Sequence, residues 1–519
     1  MSGIKLNSSE GRWIMAAATL ASSMAFIDGT ALNVVLPTLQ KSLHASGGDL
    51  FWILNAYLLM LAALMLVGGS VGDRFGHKRA FLCGVILFTL GSAACGFSAG
   101  ALHLIICRAV QGAGGAFMIP GSLSLISSSI NEEERGKAIG QWSSLTTLVM
   151  MGGPVLGGAL ADAGLWRYIF FINLPIGVVA VLILWRKISE PLRPAPAPPA
   201  DVKGAISIAI SLACLTFGLL NLGSAVNNPQ KSWSFIGIGI LLLLLFIRLE
   251  KRSAHPMMPL GLFANRVFSG ANLLSFFLYA ALGSAMLFLS LNLVQVQGYS
   301  QLQSGMAFLP FTLSVLVFAG IAGKMADRNG FQIFLVAGPA VAAGGMLLLS
   351  LVGQTSGPGA YWTTFLPGMI VFGLGMAFTV SPLTSAVMGA IAEEYSGVAS
   401  GVNNAVTRIA NVLAYAVFGA LAFVFFSGHL EQELKPLSLS QTEQRSVMKE
   451  AVNLGNAQLP LVVTGVKGAM VKTAYRDSFI HVYQTILRIS AALAFTAALI
   501  ALMMIGDDKK GRTDQVNPH

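Results

Sequence analysis

The chain has 519 residues, of which 55% are hydrophobic and only 10% charged, and a mean hydropathy of +0.72. Soluble domains carry roughly 45–50% apolar residues, so this excess excludes an ordinary water-soluble fold and calls for lipid. The net charge of +10 would suit a nucleic-acid binder, but no basic soluble domain remains once the apolar runs are set aside, which excludes that class.

Crossing a hydrocarbon core of roughly 30 Å takes about 20 helical residues, and uncharged runs of that length recur along the chain. In order, spans are expected near Trp13 to Leu36, Phe51 to Gly72, Ala80 to Ser98, Leu102 to Ile126, Ala138 to Ala161 and Tyr168 to Trp185. Two more follow near Ala205 to Leu222 and Phe235 to Ile247. The last six lie near Phe268 to Leu293, Ser304 to Met325, Ile333 to Leu351, Trp362 to Met388, Gly397 to Phe426 and Phe479 to Ile505. The fold class is therefore an all-α polytopic membrane protein with about fourteen transmembrane helices. An even number puts both termini on one side. Lys and Arg concentrate in the tails and connections of that side, while only Lys41, Arg167 and Lys231 fall in short connections opposite. The positive-inside rule then makes both termini cytoplasmic; the expected location is a plasma membrane, the inner membrane of a bacterium. No small-residue cleavage site follows the first span, so it is read as retained.

Several short stretches carry chemistry. Asp28 lies about 16 residues into the first span, roughly 24 Å from its start at 1.5 Å per residue. An acid there is expensive unless it faces protein or water, and in that setting it can take and give a proton; the alternative is a structural hydrogen bond to Asn33 or a helix end. "VGGSVGDRFGHKR" places Asp73, Arg74, His77, Lys78 and Arg79 between two apolar runs, where Gly72 and Gly76 would permit a tight turn. Arg108 sits inside the fourth span; a guanidinium stays charged, so it can anchor carbonyls or bias a neighbouring acid but cannot carry the proton itself. In "MMGGPVLGG", Gly153, Pro154, Gly157 and Gly158 mark a helix that packs closely or bends. The four cysteines lie inside spans without metal-like or redox-like spacing and read as small apolar packers.

The chain repeats itself. Gly69, Asp73, Arg74 and Gly76 recur as Gly323, Asp327, Arg328 and Gly330, each 254 positions later. Gly112, Gly114, Phe117, Glu132, Glu133, Gly136, Ala138 and Gly140 recur as Gly373, Gly375, Phe378, Glu393, Glu394, Gly397, Ala399 and Gly401, each 261 positions later. Two six-helix halves related by an axis along the membrane normal account for this. The expected organisation is a tail at 1–11, a first bundle at 12–187, a Pro-rich linker at 188–204, two inserted helices at 205–248, a linker at 249–266, a second bundle at 267–505 and a tail at 506–519. The second bundle contains an external segment at 427–478, where Ser440 and Glu443 form a capping-box pattern ahead of Val447, Met448, Ala451 and Leu454 on one face. A second amphipathic piece, Val466 to Ala474, suggests an external helical hairpin, either a lid or spacer or a docking surface for a partner.

In the second half no Asp or Glu falls near a span centre; the thirteenth span instead carries "NNAVTRIA", with Asn404, Arg408 and Asn411 on one face. With Asn33 these are candidates for a substrate cavity, which Arg408 would suit to neutral, zwitterionic or anionic lipophilic molecules. The alternative has Arg408 bound to carbonyls or to Glu393.

Together the motifs resemble the major facilitator superfamily, and within it the fourteen-helix drug:proton antiporters. "GGSVGDRFGHKR" resembles the motif between the second and third helices, "LIICRAVQGAGGA" that of the fourth, "MMGGPVLGG" the antiporter motif of the fifth and "IDGTALNVVLPTL" that of the first; "WRYIFFINLPIG" is also similar. The resemblance covers about residues 12 to 505. It implies two six-helix bundles with two inserted helices, proton coupling through Asp28 and Arg108, and a cytoplasmic gate in which Asp73 meets a helix N-terminus of the opposite half. It implies export rather than import, by alternating access, of small lipophilic compounds, with no enzyme activity and no cofactor or metal. No nucleotide-binding G-x-x-x-x-G-K-[ST] loop occurs. The competing readings are a proton symporter importing a metabolite and a non-transporting membrane sensor or scaffold.

Overall fold

Lipid offers no hydrogen bonds to a backbone, so a chain this apolar satisfies its peptide groups within helices. The computed structural model describes residues 4–188, 201–222, 229–254, 256–391 and 396–506. The side chains of Asp73 and Asp327, together with Glu393 and most of the Pro-rich linker, lie outside the described residues. Fourteen helices among the described residues are long and apolar enough to cross a membrane.

The first half comprises α1 (Ser9–Ser42), α2 (Gly47–Phe75), α3 (His77–Gly96), α4 (Ala101–Ser129), α5 (Glu132–Asp162) and a sixth span broken into α6 (Tyr168–Phe171) and α7 (Asn173–Lys187). The inserted pair is α8 (Val202–Leu222) and α9 (Pro229–Arg252). The second half runs through α10 (Arg266–Gln295), a broken span of α11 (Gln301–Ala307) and α12 (Leu309–Asn329), then α13 (Gln332–Ser350), α14 (Tyr361–Gly389) and α15 (Ser396–Leu434). It closes with the short α16 (Gln441–Glu450) and the long α17 (Gly465–Met504). Below, the near side is the one holding the start of α1, and the far side the opposite one.

Several boundaries differ from the sequence reading because caps and charged turns extend helices past their apolar runs. α1 begins at Ser9, inside the expected tail, because the Ser8 side chain accepts from the Gly11 amide. α8 begins at Val202 rather than 205, where Asp201 Oδ1 accepts from the Gly204 amide at 2.8 Å. α9 continues to Arg252, past 248, through a basic last turn that suits its C-terminus. Within the expected external segment at 427–478, α15 runs on to Leu434, and the piece Val466 to Ala474 is the continuous start of α17 rather than a separate helix. The capping box at Ser440 and Glu443 does open α16.

The repeat is visible as packing. Gly112 and Gly373 press on the second span of their own halves, at Tyr57 and Phe311, and Gly114 and Gly375 press on the third, at Phe88 and Ala342. A Cβ at Gly114 would lie 2.3 Å from the Phe88 amide nitrogen, and one at Gly375 2.2 Å from that of Ala342. The turns that end α2 and α12 repeat too: Gly76 has φ 105° and Gly330 φ 91°, conformations that disfavour any side chain. Gly72, expected to share that turn, is instead within α2, and its carbonyl accepts from the Gly76 amide.

The halves join on the far side. Asp162, ending α5, accepts from the amides of Gln301 and Leu302 at 2.8 and 2.9 Å, so it caps α11. Ser290 of α10 donates to the Asn33 carbonyl, and Gln301 to Thr38. The largest buried apolar cluster runs across this junction, through Leu36, Phe51, Phe288, Leu291 and Phe423. The inserted pair packs beside it, with Leu212 and Phe246 against Leu59 of α2 and Val412 of α15.

Candidate functional site

Helix α1 carries Asp28, and α4 carries Arg108, 80 positions apart in sequence and in direct contact in the fold. Arg108 Nη1 donates to Asp28 Oδ2 at 2.5 Å and to Gln111 Oε1 at 2.8 Å, while Gln111 Nε2 donates to Asp28 Oδ1 at 2.9 Å. Both carboxylate oxygens are therefore satisfied. The pair is fully enclosed, at 1% and 0% exposure. Arg108 Nε reaches the Ile53 carbonyl of α2 at 3.4 Å, and its guanidinium lies 4.2 Å from the Tyr57 ring centroid. Close approach of α4 to α2 at Gly112 brings Tyr57 under the arginine.

A buried ion pair contributes little net stability, because desolvation offsets attraction, but removing one partner costs about 3–5 kcal/mol by stranding the other charge. Chemically, such a pair is a two-state device: protonating Asp28 cancels its charge and leaves Arg108 without a counterion. Arg108 keeps its proton throughout. Asn33 takes no part; its Oδ1 is buried without a partner. Five positions along a helix turn a side chain about 140° away, which is why Asp28 and Asn33 cannot share a face. Gln111 and Tyr57 did not stand out in the sequence. Gln111 could have, since it lies one turn beyond Arg108 on the same face of α4.

On α5 the small residues seat two partners. A Cβ at Gly153 would meet Thr30 of α1, and one at Gly157 would lie 2.8 Å from the Ala31 carbonyl oxygen. Gly158 faces the other half, where a Cβ would stand 2.3 Å from the Gln301 carbonyl oxygen, and Pro154 receives Gly305 of α11 from the opposite direction. The motif thus forms the far-side seam between halves. Nearer the start of α5, Gln141, Ser143 and Ser144 are exposed.

A second far-side closure comes from the segment between α16 and α17. Gln40 of α1 accepts from Gln295 of α10 at 3.3 Å and from Asn456 at 2.6 Å, and donates to the Asn453 carbonyl at 3.3 Å. Leu454 is buried between them with φ 51°, a strained value for a branched side chain. These groups rim a small apolar cavity floored by Leu36, Phe51 and Leu287.

The remaining candidates on α15 diverge. Asn411 packs on Gly283 of α10, Asn404 is exposed and donates back to the Ser400 carbonyl, and Arg408 is half-buried. The neighbouring Asn403 bonds Asn272 and Ser275 of α10. On the near-side turns Arg74, Arg79 and Arg328 are exposed, Gly69 has open space around it, and Gly323 abuts Ser381.

The family model described as Major Facilitator Superfamily matches residues 18–415. The chain is 30% identical over 436 residues to the multidrug resistance protein Stp of Mycobacterium tuberculosis, covering 83% of this chain and 79% of that one. It is 29% identical over 482 residues to the tetracenomycin C resistance and export protein of Streptomyces glaucescens, covering 92% and 89%. Among solved structures, a bacterial homologue of the human lysosomal transporter Spinster, inward-facing and unoccupied, superposes with a TM-score of 0.65 at 16% identity, covering 96% of this chain and 98% of that one.

Proposed function

Since this chain belongs to the major facilitator superfamily, a family of multi-pass membrane transporters and not of enzymes, we propose that it is a proton-driven exporter of small lipophilic compounds. The observation that carries this reading is the enclosed Asp28–Arg108–Gln111 cluster, the one buried ion pair among the described residues, placed on the wall between α1, α2 and α4. The relatives named for multidrug resistance and for tetracenomycin C export support outward transport of drug-like molecules. On this reading the near side is the cytoplasm of a bacterial cell, both termini lie there, and the far side faces outward.

In the conformation described, the far side is sealed by the α5–α11 seam and the Gln40 network, whereas polar residues of α5 are exposed towards the near side. On this reading the conformation is the inward-facing state of an alternating-access cycle. A substrate enters from the inner leaflet or cytoplasm; a proton arriving from outside in the other state neutralises Asp28, and its release inward restores the ion pair. The external segment acts as part of the outer closure. The near-side turns at Gly76 and Gly330, with Asp73 and Asp327, form the inner gate when the halves rock.

The test is a pH-gradient assay in proteoliposomes with Asp28→Asn. The amide keeps a hydrogen bond to Arg108 but cannot carry a proton, so gradient-driven efflux is expected to fall to background with the protein still folded. Gradient-driven efflux at the wild-type rate would remove Asp28 from the coupling, and net inward accumulation by the wild type would make the protein a symporter.

A further inference from the structure

Arg108 has its charge answered; Arg408 does not. It lies 12 residues into α15, which begins at Ser396, hence about 18 Å along the helix axis at 1.5 Å per residue. It makes no hydrogen bond and no ion pair among the described residues, and its Nε is buried without a partner. Three phenols, Tyr57 of α2, Tyr279 of α10 and Tyr415 of α15, stand within its electrostatic reach, and none carries a negative charge at neutral pH. The two buried carboxylates of the described residues are engaged elsewhere. Asp28 is held by Arg108 and Gln111, and Glu250, near the end of α9, accepts from the Met258 amide.

Among the described residues, Arg408 is thus a half-buried positive charge without a counterion. A half-buried cation partway along a membrane-spanning helix is unfavourable unless something of opposite sign reaches it. A guanidinium presents a planar fork of donors matched to the two oxygens of a carboxylate. Of the groups near it, the half-buried Tyr279 of α10 and the exposed Asn404, one turn before it on the same helix, are the ones an aromatic or alkyl body could meet with its acid on the arginine. The same charge would repel a cationic drug.

Resting on the exporter reading above, we propose that Arg408 is the substrate anchor and that the transported class is lipophilic organic acids carrying one carboxylate. Arg408 is then a specificity-determining residue separate from the Asp28 coupling site. The acid leaves its counter-charge role when the halves rock outward, and the next molecule restores it on return.

The experiment uses the purified full chain and three probes sharing one fluorophore: pyrenebutyrate, its neutral amide and a pyrene trimethylammonium of equal length. Binding is read by fluorescence anisotropy in a non-ionic detergent, transport in phosphatidylcholine vesicles under a pH gradient. Wild type is expected to bind the carboxylate at least about tenfold tighter than the amide, as two charge-assisted hydrogen bonds imply, and the ammonium weakest. Arg408→Gln should lose that tenfold advantage and leave amide binding within about twofold, whereas Arg408→Lys, which keeps the charge without the fork, should recover part of it. Tightest binding of the ammonium by wild type, or equal losses for all three probes in Arg408→Gln, would overturn the assignment. So would a carboxylate preference that vanishes on adding anionic phospholipid, since a lipid phosphate would then be the resident counterion. Failure of the exporter reading looks different: carboxylate binding with the expected Arg408 dependence, but no gradient-driven movement of any probe.

Discussion

The two halves of this molecule share a scaffold and differ in charge. At matching positions Gly112 and Gly373 bear on the second span, Gly114 and Gly375 on the third, and Gly76 and Gly330 turn the chain with positive φ. The same 261-residue offset that aligns these fourth-span glycines sets Arg108 against Met369 and Gln111 against Phe372, both apolar and fully buried. Seven residues beyond the matched Gly140 and Gly401, it sets Thr147 against Arg408. Duplication has therefore kept what holds helices together and reassigned what carries charge: an answered ion pair in one half and, in the other, a cation unanswered among the described residues. Shared backbone contacts teach what the fold needs, and the divergent side chains mark where the proposed coupling and recognition would sit.

If that division is right, scaffold substitutions must act alike in both halves. Gly114→Val and Gly375→Val would each drive a side chain into backbone 2.3 and 2.2 Å away, and helix backbones cannot yield that far without separating. Both are expected to abolish folded protein, read as loss of the monodisperse peak on size exclusion in detergent. Tolerance of one and not the other would break the symmetry.

Charge substitutions must act unequally. Arg108→Met strands the Asp28 carboxylate and should lower the midpoint of thermal unfolding in detergent by the equivalent of about 3–5 kcal/mol. Arg408→Met removes a cation that has no partner among the described residues, so the midpoint should hold or rise. Equal losses for the two variants would mean that Arg408 has a partner in the folded protein, and the contrast between halves would collapse.

A smaller and more specific change sharpens the same contrast. Asn404→Asp puts a carboxylate one turn before Arg408, in the orientation favourable to an i, i+4 pair. It would give the second half the answered charge that the first already has. Affinity for the acidic probe should fall by about tenfold and that for the ammonium probe should rise, measured by anisotropy. No change in charge preference would show that Arg408 does not set it.

How much of this was legible beforehand follows from the range of each signal. Spans, repeat and capping box are local or periodic, so they survive in sequence: the Ser440 box and the echo of Gly76 in Gly330 are both where the pattern places them. Asp28 and Arg108 stood out because charges inside apolar runs are rare. That they touch did not, since 80 intervening residues say nothing about which faces of α1 and α4 meet. Gln111 was one turn from Arg108 and readable; Tyr57 needed the close approach at Gly112. The segment at 427–478 was legible only in part. Hydropathy windows end helices where charge begins, whereas α17 starts at Gly465 and carries Lys467, Lys472 and Arg476 before its apolar run.

That far-side segment is also the largest difference in connectivity between the halves. Between its fifth and sixth spans the first half has only the turn from Ala163 to Arg167, where the second has α16 and the Gln40 contacts. Its start depends on Glu443, whose carboxyl is held below the usual carboxylate range first by the Ser440 amide and then by the Ser440 hydroxyl, with Lys467 at 3.9 Å adding attraction. A lowered folded-state pKa stabilises the cap fully above the ordinary glutamate value and loses that stabilisation as pH falls through the lowered one. Amide exchange across residues 441–446 should therefore quicken only in that acidic window. The contacts of Gln40 with Asn453 and Asn456 contain no titratable group, and although Asn453 also donates to the Glu450 carboxylate at 2.9 Å, the Asn456 side chain is held by Gln40 alone among the described residues, so exchange at 456 should stay slow. Should both loosen together, α16 and the outer closure are one cooperative unit, and the second half would carry an acid-sensitive outer lid that the first half lacks.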